Sequence, residues 1–484
     1  ITPLVTTSSS NITMQSDYFS WDSAEPVINT SGVFTAESVS TSFSTSQEYI
    51  KTSWFTFTNI GGLTIGKSTN IQDVIVNESV NAKGDINLFG KDITINENLD
   101  SSSQSDGDIL LKASGNITLK DDKSITTNGG DITLWSNSDD NGGYIYIQDG
   151  VILDTRTALD RTDSKTNTAS GGGDITLGGG AGTTTPTGYA LQNTTSTTPA
   201  GIMLGTTGEG HDSNIAIYSG GGNISLKGKA TNSNTTYMSG IYAQGGMKVD
   251  SGSIGNITFD GSATNNVNTV YGLALTGHSS DTLYLRSNDG NITLNGKALS
   301  NPNAAYGVYL TGHGDNSSEN FIEATGTGSV SILASAKGGQ NLSRDYHIYI
   351  TNVLASSGNI KVSGTSSDVH RRGFIQYSNF GWDDYSYNGE ANLVTSSTSD
   401  ISILHDRPEF TFNDGGLTKS VTVNIKTSGT LTFSPYNDDF QHTTFTLPSH
   451  FTIANSVTGL TIGKSATSSD GTNDLDVTIS EAID

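Results

Sequence analysis

One five-residue pattern, Gly-Asn/Asp-Ile-Thr-Leu, recurs along this chain of 484 residues and constrains its fold more than any other feature. In the copy at 115–119, glycine and asparagine favour a turn, and the alternation of Ile117, Thr118 and Leu119 favours a short strand with one apolar face. Three residues cannot bury that face alone, so successive copies must stack and share a core. The copies lie at 84–88, 115–119, 130–134, 173–177, 222–226, 255–259 and 290–294, with degenerate copies at 328–332, 358–362 and 399–403. The pattern predicts an all-β fold, an elongated single-chain β-solenoid (β-helix) with loop insertions.

The spacing of the copies indicates how many residues each coil uses. Between Asn223 and Asn359 the copies are 30 to 38 residues apart, and most are followed by a second strand that carries glycine and aromatic residues. This spacing predicts one to two coils per copy, with loops absorbing the variation. Residues 151–172 and 178–199 are rich in Thr, Ser and Gly, and we interpret them as long loops.

Composition limits the partners and the chemistry that such a chain supports. The formal charge is −24, from 48 acidic and 24 basic residues, which disfavours nucleic acid and anionic membrane surfaces as partners. No long apolar run is present, so we expect no insertion into a membrane. Cysteine is absent, so neither disulfides nor thiol chemistry contribute.

A second, longer recurrence predicts that the chain is a segment of a tandem array. Residues 62–68 and 459–465 are identical, and they are 397 positions apart. Ile28 and Ile425 begin related segments at the same offset. We therefore expect 1–61 to be the tail of a preceding repeat unit, 62–458 to be one complete solenoid unit and 459–484 to be the head of the next unit. Adjacent units of the same chain would then be its first partners.

The repeats resemble those of a known family. Gly-Leu-Thr-Ile-Gly-Lys at 62–67 and the segments 84–86, 107–118 and 125–132 resemble repeats of giant filamentous-haemagglutinin-like surface adhesins of Gram-negative bacteria. The resemblance covers most of 62–366. It implies a secreted, non-enzymatic fibre at the outer membrane and cell surface, which acts in attachment, self-association or motility over surfaces. It transfers no catalytic residue.

The expected function is therefore that of a structural and adhesive stalk repeat in a very large secreted cell-surface protein, with surface glycans or other cells as further partners. One alternative is a carbohydrate- or ice-binding solenoid, although the outward residue of the pattern varies among Thr, Asn, Ser and Lys, which disfavours a regular ice-binding array. Another alternative is a β-helical polysaccharide lyase or hydrolase, with Asp383 and Asp384 as carboxylates beside Arg371 and Arg372. We expect no enzymatic activity.

One segment, 375–390, departs from the repeat and is the candidate ligand-binding region. Aromatic faces stack on sugar rings, and clustered carboxylates suit Ca²⁺, but the spacing here does not match a known Ca²⁺ loop. We therefore predict no cofactor and no metal, with Ca²⁺ left open. The candidate ligand-binding residues are Trp382, Asp383, Asp384, Tyr385 and Tyr387.

Two other patterns have simpler explanations than a functional site. His278 with Asp281 and His313 with Asp315 follow equivalent strands, so we interpret them as equivalent corners of successive coils rather than as metal ligands. Residues 61–68 match the spacing of a phosphate-binding loop. However, Leu63 and Ile65 alternate as in a strand, and no helix is predicted to follow.

Overall fold

The protein is described by a computed structural model. The described residues are 4–5, 9–20, 25–45, 49–162, 168–192, 199–206, 213–231, 237–265, 269–277, 282–300, 304–312, 320–338, 344–349, 351–365, 372–375, 391–395, 398–406, 408–409, 423–436, 444–447, 451–454, 456–463 and 476–479.

The described residues form two units, each an all-β solenoid built from three parallel sheets, which confirms the predicted fold class. Unit 1 contains the described residues within 1–206, 213–229 and 249–255, and unit 2 contains those within 230–248 and 256–484. Each coil contributes one strand to the first sheet, one to the second and one to the third. The strands Ile224–Ala230 and Met247–Asp250 include residues of both units.

The strands of unit 1 are short. In the first sheet they are Ile12–Gln15, Val33–Glu37, Gly62–Ile65, Ile86–Gly90, Ile109–Ala113, Ile132–Trp135, Ile175–Gly178 and Ile224–Ala230. In the second they are Tyr49–Lys51, Asp73–Val76, Ile93–Ile95, Ile117–Leu119, Ile145–Ile147 and Ala200–Leu204. In the third they are Val80–Asn81, Leu99–Asp100, Ser124–Thr126, Ile152–Asp154, Ile215–Tyr218 and Met247–Asp250. Leu4–Val5, Val27–Asn29 and Thr56–Thr58 form a separate three-stranded sheet, and Ala190–Gln192 pairs with Ile224–Ala230. Thr52–Trp54 is a 3₁₀ turn and Ala158–Thr162 a short α-helix.

The strands of unit 2 up to about residue 349 are longer than those of unit 1 in the first two sheets. In the first sheet they are Ile257–Asn265, Ile292–Ser300, Val330–Lys337, Ile360–Gly364, Ile401–Leu404, Thr430–Ser434 and Gly459–Ile462. In the second they are Tyr237–Gln244, Thr269–Thr276, Ala305–Thr311, Arg344–Tyr349, Arg372–Ile375 and Pro408–Glu409. In the third they are Leu283–Ser287, Asn320–Ala324, Thr351–Ala355, Ala391–Thr395, Val423–Lys426 and Phe451–Ile453. Thr444–Leu447 pairs with Asp476–Ile479.

Each five-residue copy forms one corner and one strand, and this strand lies in the first sheet for every copy except 115–119, whose strand Ile117–Leu119 lies in the second sheet. Ile86, Ile109, Ile132 and Ile175 occupy the same register on successive strands and are at most 1 % exposed, as the alternation predicted. The copies in unit 2 pair one to one as well, so each copy marks one coil rather than one to two. The residues that make the coils of unit 2 longer than those of unit 1 lie in loops and in longer strands. The interpretation of 151–172 and 178–199 as loops was wrong in part. Ile152–Asp154 is a strand of the third sheet, and Ala190–Gln192 is a strand that pairs with Ile224–Ala230.

The corner explains why the pattern begins with glycine. A Cβ atom at Gly130 would lie 2.3 Å from the carbonyl oxygen of Gly107 in the preceding coil, closer than real Cβ contacts come. The buried hydroxyl of Thr127 donates a hydrogen bond of 2.5 Å to the carbonyl oxygen of Gly130. Because the coils touch backbone to backbone at Gly130, a Cβ atom does not fit there, and an internal hydroxyl satisfies the carbonyl that the turn exposes to the core.

The second residue of the pattern forms a polar ladder along the outside of the corner. In unit 1 the backbone N–H of Asp131 donates to Asp108 Oδ1 at 2.7 Å, and the N–H of Asp174 donates to Asp131 Oδ1 at 2.7 Å. In unit 2 the N–H of Asp400 donates to Asn359 Oδ1 at 2.9 Å. Asp and Asn alternate freely in the sequence because both supply the side-chain oxygen that accepts the next coil's N–H.

The two long repeat copies occupy equivalent places in their own units. Gly62–Ile65 pairs with Val33–Glu37 in unit 1, and Gly459–Ile462 pairs with Thr430–Ser434 in unit 2, with every paired position displaced by 397 residues. The boundaries proposed for the repeat units, 1–61, 62–458 and 459–484, stay a prediction.

Candidate functional site: a cleft at a break in the third face of unit 1

The third face of unit 1 is interrupted near the start of the chain. Thr56–Thr58 closes the separate three-stranded sheet, and Val80–Asn81 begins the next sheet on that face, without strand pairing between them. A single bridge, Ile60 to Ala82, joins the two sides. The first two faces continue across this level, where Gly62–Ile65 pairs with Ile86–Gly90 and Tyr49–Lys51 pairs with Asp73–Val76. The break is therefore local to one face.

Side chains hold the chain at the corner before the break. The hydroxyl oxygen of Thr52 accepts hydrogen bonds from the N–H groups of Asn77 at 3.1 Å and of Glu78 at 3.2 Å. The N–H of Ser53 donates to Asn77 Oδ1 at 3.1 Å. The side chains of Thr52 and Asn77 thus join this coil to the next one at the corner.

The break opens a cleft of about 350 Å³. This volume lies in the range typical of small-molecule sites, which combine an apolar floor with a few polar groups. Phe57 contributes a partly exposed aromatic ring, and the apolar lining also includes Phe55 and Ile60, whose side chains are buried. The polar lining consists of Thr56, Asn59, Glu78, Ser79, Asn81, Lys83 and Ser103.

The position of Phe57 shows how the floor of the cleft arises. Phe57 is in register with Ile28, which is 0 % exposed, so its side chain occupies the inward position of its strand. Phe57 is nevertheless only half-buried, because no strand of the next coil pairs above it. Its ring packs 5.7 Å from that of Phe34 and 5.9 Å from that of Phe55, and both of those residues are buried. A core aromatic ring with a fixed orientation is thus accessible from the outside.

A tyrosine cluster lies on the second sheet of unit 2. The rings of Tyr271 and Tyr306 stack with centroids 5.1 Å apart, and Tyr309 meets them edge-on at 5.2 Å and 5.4 Å. These rings cover one another, so we interpret the cluster as an aromatic ladder that stabilises neighbouring coils.

The pKa of another tyrosine on unit 2, Tyr284, is shifted by its surroundings. The hydroxyl of Tyr284 donates to a carboxylate oxygen of Glu323. Burial, and then this hydrogen bond, raise the pKa of Tyr284 to about 12. Its phenol therefore stays protonated at neutral pH, which suits a structural donor rather than a catalytic base.

A buried ionisable pair lies inside unit 2. His405 Nε2 and Asp345 Oδ2 are 2.9 Å apart, and both side chains are 0 % exposed. Asp345 Oδ1 accepts the N–H of Ala336 at 2.6 Å, and the ring of Tyr346 meets that of His405 edge-on at 5.6 Å. Burial raises the pKa of Tyr346. Because none of these three side chains reaches solvent, the group is placed for stability and not for chemistry on a substrate.

The residues singled out from the sequence fall largely outside the described part of the chain. This applies to the candidate ligand-binding residues and to the histidine-acid pairs. They are Trp382, Asp383, Asp384, Tyr385, Tyr387, His278, Asp281, His313, Asp315 and Arg371. Arg372 is described only as backbone of the strand Arg372–Ile375.

The phosphate-loop spacing at 61–68 corresponds to a strand followed by a turn, as the alternation predicted. Gly62–Ile65 is a first-sheet strand, and Gly66 has a positive φ of 81° in the turn after it. No helix begins at these residues, so no helix dipole faces a ligand there.

Within the described ranges, no three or more His, Asp or Glu side chains converge as a metal-binding group. The helices in the same ranges are all too short and too polar to cross a bilayer.

The cleft residues were missed by reasoning from the repeat pattern, because that pattern is absent where the cleft forms. One signal was present in the sequence: Trp54, Phe55 and Phe57 place three large aromatic residues within four positions, without the Gly-Asn/Asp corner.

Comparison of the chain with protein-family models, with curated proteins and with solved structures finds no match. The cleft is accordingly interpreted from its geometry.

Proposed function

We propose that this chain is a structural and adhesive stalk segment of a very large secreted protein at the bacterial cell surface, where it acts in attachment to surfaces, glycans or other cells. The observation that supports this proposal is the corner that both units repeat. Its glycine, its internal hydroxyl and its external Asp or Asn all contact the neighbouring coil. Residues that contact the neighbouring coil in this way determine how the coils stack, and they do not form a catalytic arrangement.

The acidic surface supports the same proposal. A net charge of −24 keeps extended chains apart in solution and disfavours non-specific binding to nucleic acid. Coils that stack in this way leave unpaired strand edges at the ends of the stack. Neighbouring units of the same chain would cover those edges, as expected in a tandem array.

A replacement experiment in the producing bacterium tests the proposal. Antibody labelling of intact cells and protease shaving should first locate the segment at the surface. Deletion of the segment should then reduce attachment to a solid surface under flow. If the segment acts as a stalk, an unrelated solenoid with the same number of coils should restore attachment.

Two results would contradict the stalk proposal. Retention of the segment inside the cell would remove the location on which it depends. Failure of the unrelated solenoid to restore attachment, where re-insertion of the native segment does, would assign the attachment to specific residues of this chain.

A further inference from the structure

We propose that the cleft between Thr56–Thr58 and Val80–Asn81 binds a single uncharged pyranose unit, with one face of the sugar on the Phe57 ring and its hydroxyl groups on the polar rim. This inference goes beyond the stalk proposal. It depends only on the geometry of the cleft and holds whether or not the chain acts as a spacer.

Phe57 is a core aromatic residue that the next coil leaves uncovered. Phe57 holds the inward register position of Ile28, yet it is half-buried while Ile28 is 0 % exposed. Because this inward aromatic ring stays in contact with water, the fold lacks the stabilisation that full burial of the ring would give. Its contacts with the buried rings of Phe34 and Phe55 fix its orientation before any ligand arrives. A flat apolar ligand face would complete the burial without rearrangement of the cleft.

Polar side chains surround this ring. Asn59, Glu78, Asn81 and Lys83 line the cleft, and their side chains make no hydrogen bond to any residue that the structure describes. Asn59 is held in the left-handed backbone region with φ of 59°, a conformation that asparagine tolerates. The rim thus presents two amides, one carboxylate and one ammonium group that the fold itself does not use.

The rim side chains and the Phe57 ring together fit one class of ligand. A carboxylate only accepts hydrogen bonds, an ammonium only donates them, and amides do both, so together they serve hydroxyl groups, each of which donates and accepts. A pyranose combines a hydroxyl rim with an apolar C–H face that suits an aromatic ring. An anionic ligand would meet Glu78 and the net charge of −24, and a hydrocarbon would leave the rim groups unpaired.

The test measures binding of methyl glycosides of glucose, galactose, mannose and N-acetylglucosamine to the full chain by saturation-transfer NMR and calorimetry. We expect millimolar or tighter binding of at least one glycoside, with saturation transferred to its ring protons. Phe57→Leu, which keeps an apolar side chain but removes the aromatic face, should weaken binding at least tenfold. Glu78→Gln and Asn81→Ser change exposed side chains, and each should weaken binding about threefold to tenfold.

Matched controls separate loss of the site from loss of the fold. Tyr306→Leu alters a partly exposed aromatic residue of unit 2 and should leave sugar binding unchanged. Circular dichroism and thermal unfolding should show Glu78→Gln and Asn81→Ser folded like the native chain, which keeps the test valid even if Phe57→Leu unfolds. The proposal is overturned if none of the four glycosides binds at millimolar concentration. It is also overturned if both rim variants bind the sugar as tightly as the native chain does, or if the cleft takes up an apolar peptide and no sugar.

Discussion

Unit 1 and unit 2 use the same corner but differ in what lies beyond it. In unit 1 successive corner residues Asp85, Asp108 and Asp131 are 23 residues apart, and strands of four or five residues follow them. In unit 2 the corner residues Asn256, Asn291 and Ser329 are 35 and 38 residues apart, and strands of eight or nine residues follow. The same repeat therefore supports coils of very different length.

The longer strands of unit 2 build a second, smaller core. At Gly261 and Gly296 the first sheet meets the second sheet backbone to backbone, since a Cβ atom there would lie 2.1 Å from the carbonyl oxygen of Gly272 or Gly307. We call this contact the glycine crossing. Beyond it the two sheets enclose what we call the alanine lobe. The alanine lobe consists of Ala230, Met238, Ala263, Val270, Ala298, Ala305 and Ala336.

The buried Asp345–His405 pair stands where the glycine crossing ends. Register places Asp345 level with Gly307, and Gly364 continues the row of Gly296 and Ala334. A Cβ atom at Gly364 would lie 2.1 Å from His405 Cδ2, so the missing side chain makes room for the imidazole. Unit 1 is therefore held by one apolar core of aliphatic and aromatic side chains, whereas unit 2 adds a lobe that a polar pair closes.

The largest effect is expected from separating that pair. His405→Leu should destabilise unit 2 by about 3–5 kcal/mol, because it leaves the buried Asp345 carboxylate with the Ala336 N–H but without the imidazole. Denaturant unfolding measures the change, and hydrogen exchange in Ile360–Gly364 and Arg344–Tyr349 locates it. The double variant with Asp345→Asn, which keeps an acceptor for Ala336, should recover part of the loss. A cost below about 1 kcal/mol would show that the pair does not close the lobe.

The aliphatic core of unit 1 provides the next largest effect. Ile132 is 0 % exposed and lies in register between Ile109 and Ile175, so Ile132→Ala should cost about 2–5 kcal/mol. The neighbouring Thr133 points outward and is partly exposed, and Thr133→Ala should change the free energy of unfolding by no more than about 0.5 kcal/mol. Denaturant unfolding of both variants provides the measurement. Equal costs for the two would contradict a core built on the inward position.

The glycine crossing predicts a position-specific effect in unit 2. Gly296→Ala should destabilise by about 1–3 kcal/mol or more, because the added methyl group meets the backbone of Gly307. Gly459→Ala in the same sheet is the control, since the nearest atom to its Cβ would be 3.6 Å away. Thermal unfolding compares the two variants. Equal unfolding midpoints would show that the two sheets can separate at the glycine crossing without a loss of stability.

The sequence predicted the parts of this fold that depend on local pattern. The corner, the first-sheet strands and the inward Ile and Leu positions follow from five adjacent residues, and the structure places them as expected. The alanine lobe combines residues from seven strands, and the Asp345–His405 pair joins residues 60 positions apart in the chain, so no local pattern connects them. The cleft was not predicted because it arises from a missing strand pairing between Thr56–Thr58 and Val80–Asn81, and a repeat pattern describes only the pairings that are made.

The smallest expected effect distinguishes the carboxylate ladder of unit 1 from the amide-containing ladder of unit 2. Burial raises the pKa of Asp131 above its ordinary value of 3.8. The hydrogen bond from the Asp174 N–H opposes this shift, and the carboxylates of Asp108 and Asp174 add to it. The folded state then holds its proton more tightly than the unfolded state, so this group makes stability fall as pH rises from about 3.8 through the raised pKa. Asp131→Asn keeps the oxygen that accepts the Asp174 N–H, as Asn359 does for Asp400, and removes the charge.

We therefore expect Asp131→Asn to raise the thermal unfolding midpoint slightly at pH 7 and to leave it unchanged at pH 3, where the native carboxyl is protonated in both states. The mirror variant in unit 2, Asn359→Asp, should lower the midpoint at pH 7, because it places a carboxylate beside Asp400. Thermal unfolding at both pH values measures the pair of variants. A gain for Asp131→Asn that is equally large at pH 3 would assign the effect to packing rather than to charge. The two ladders would then differ in composition without differing in electrostatics.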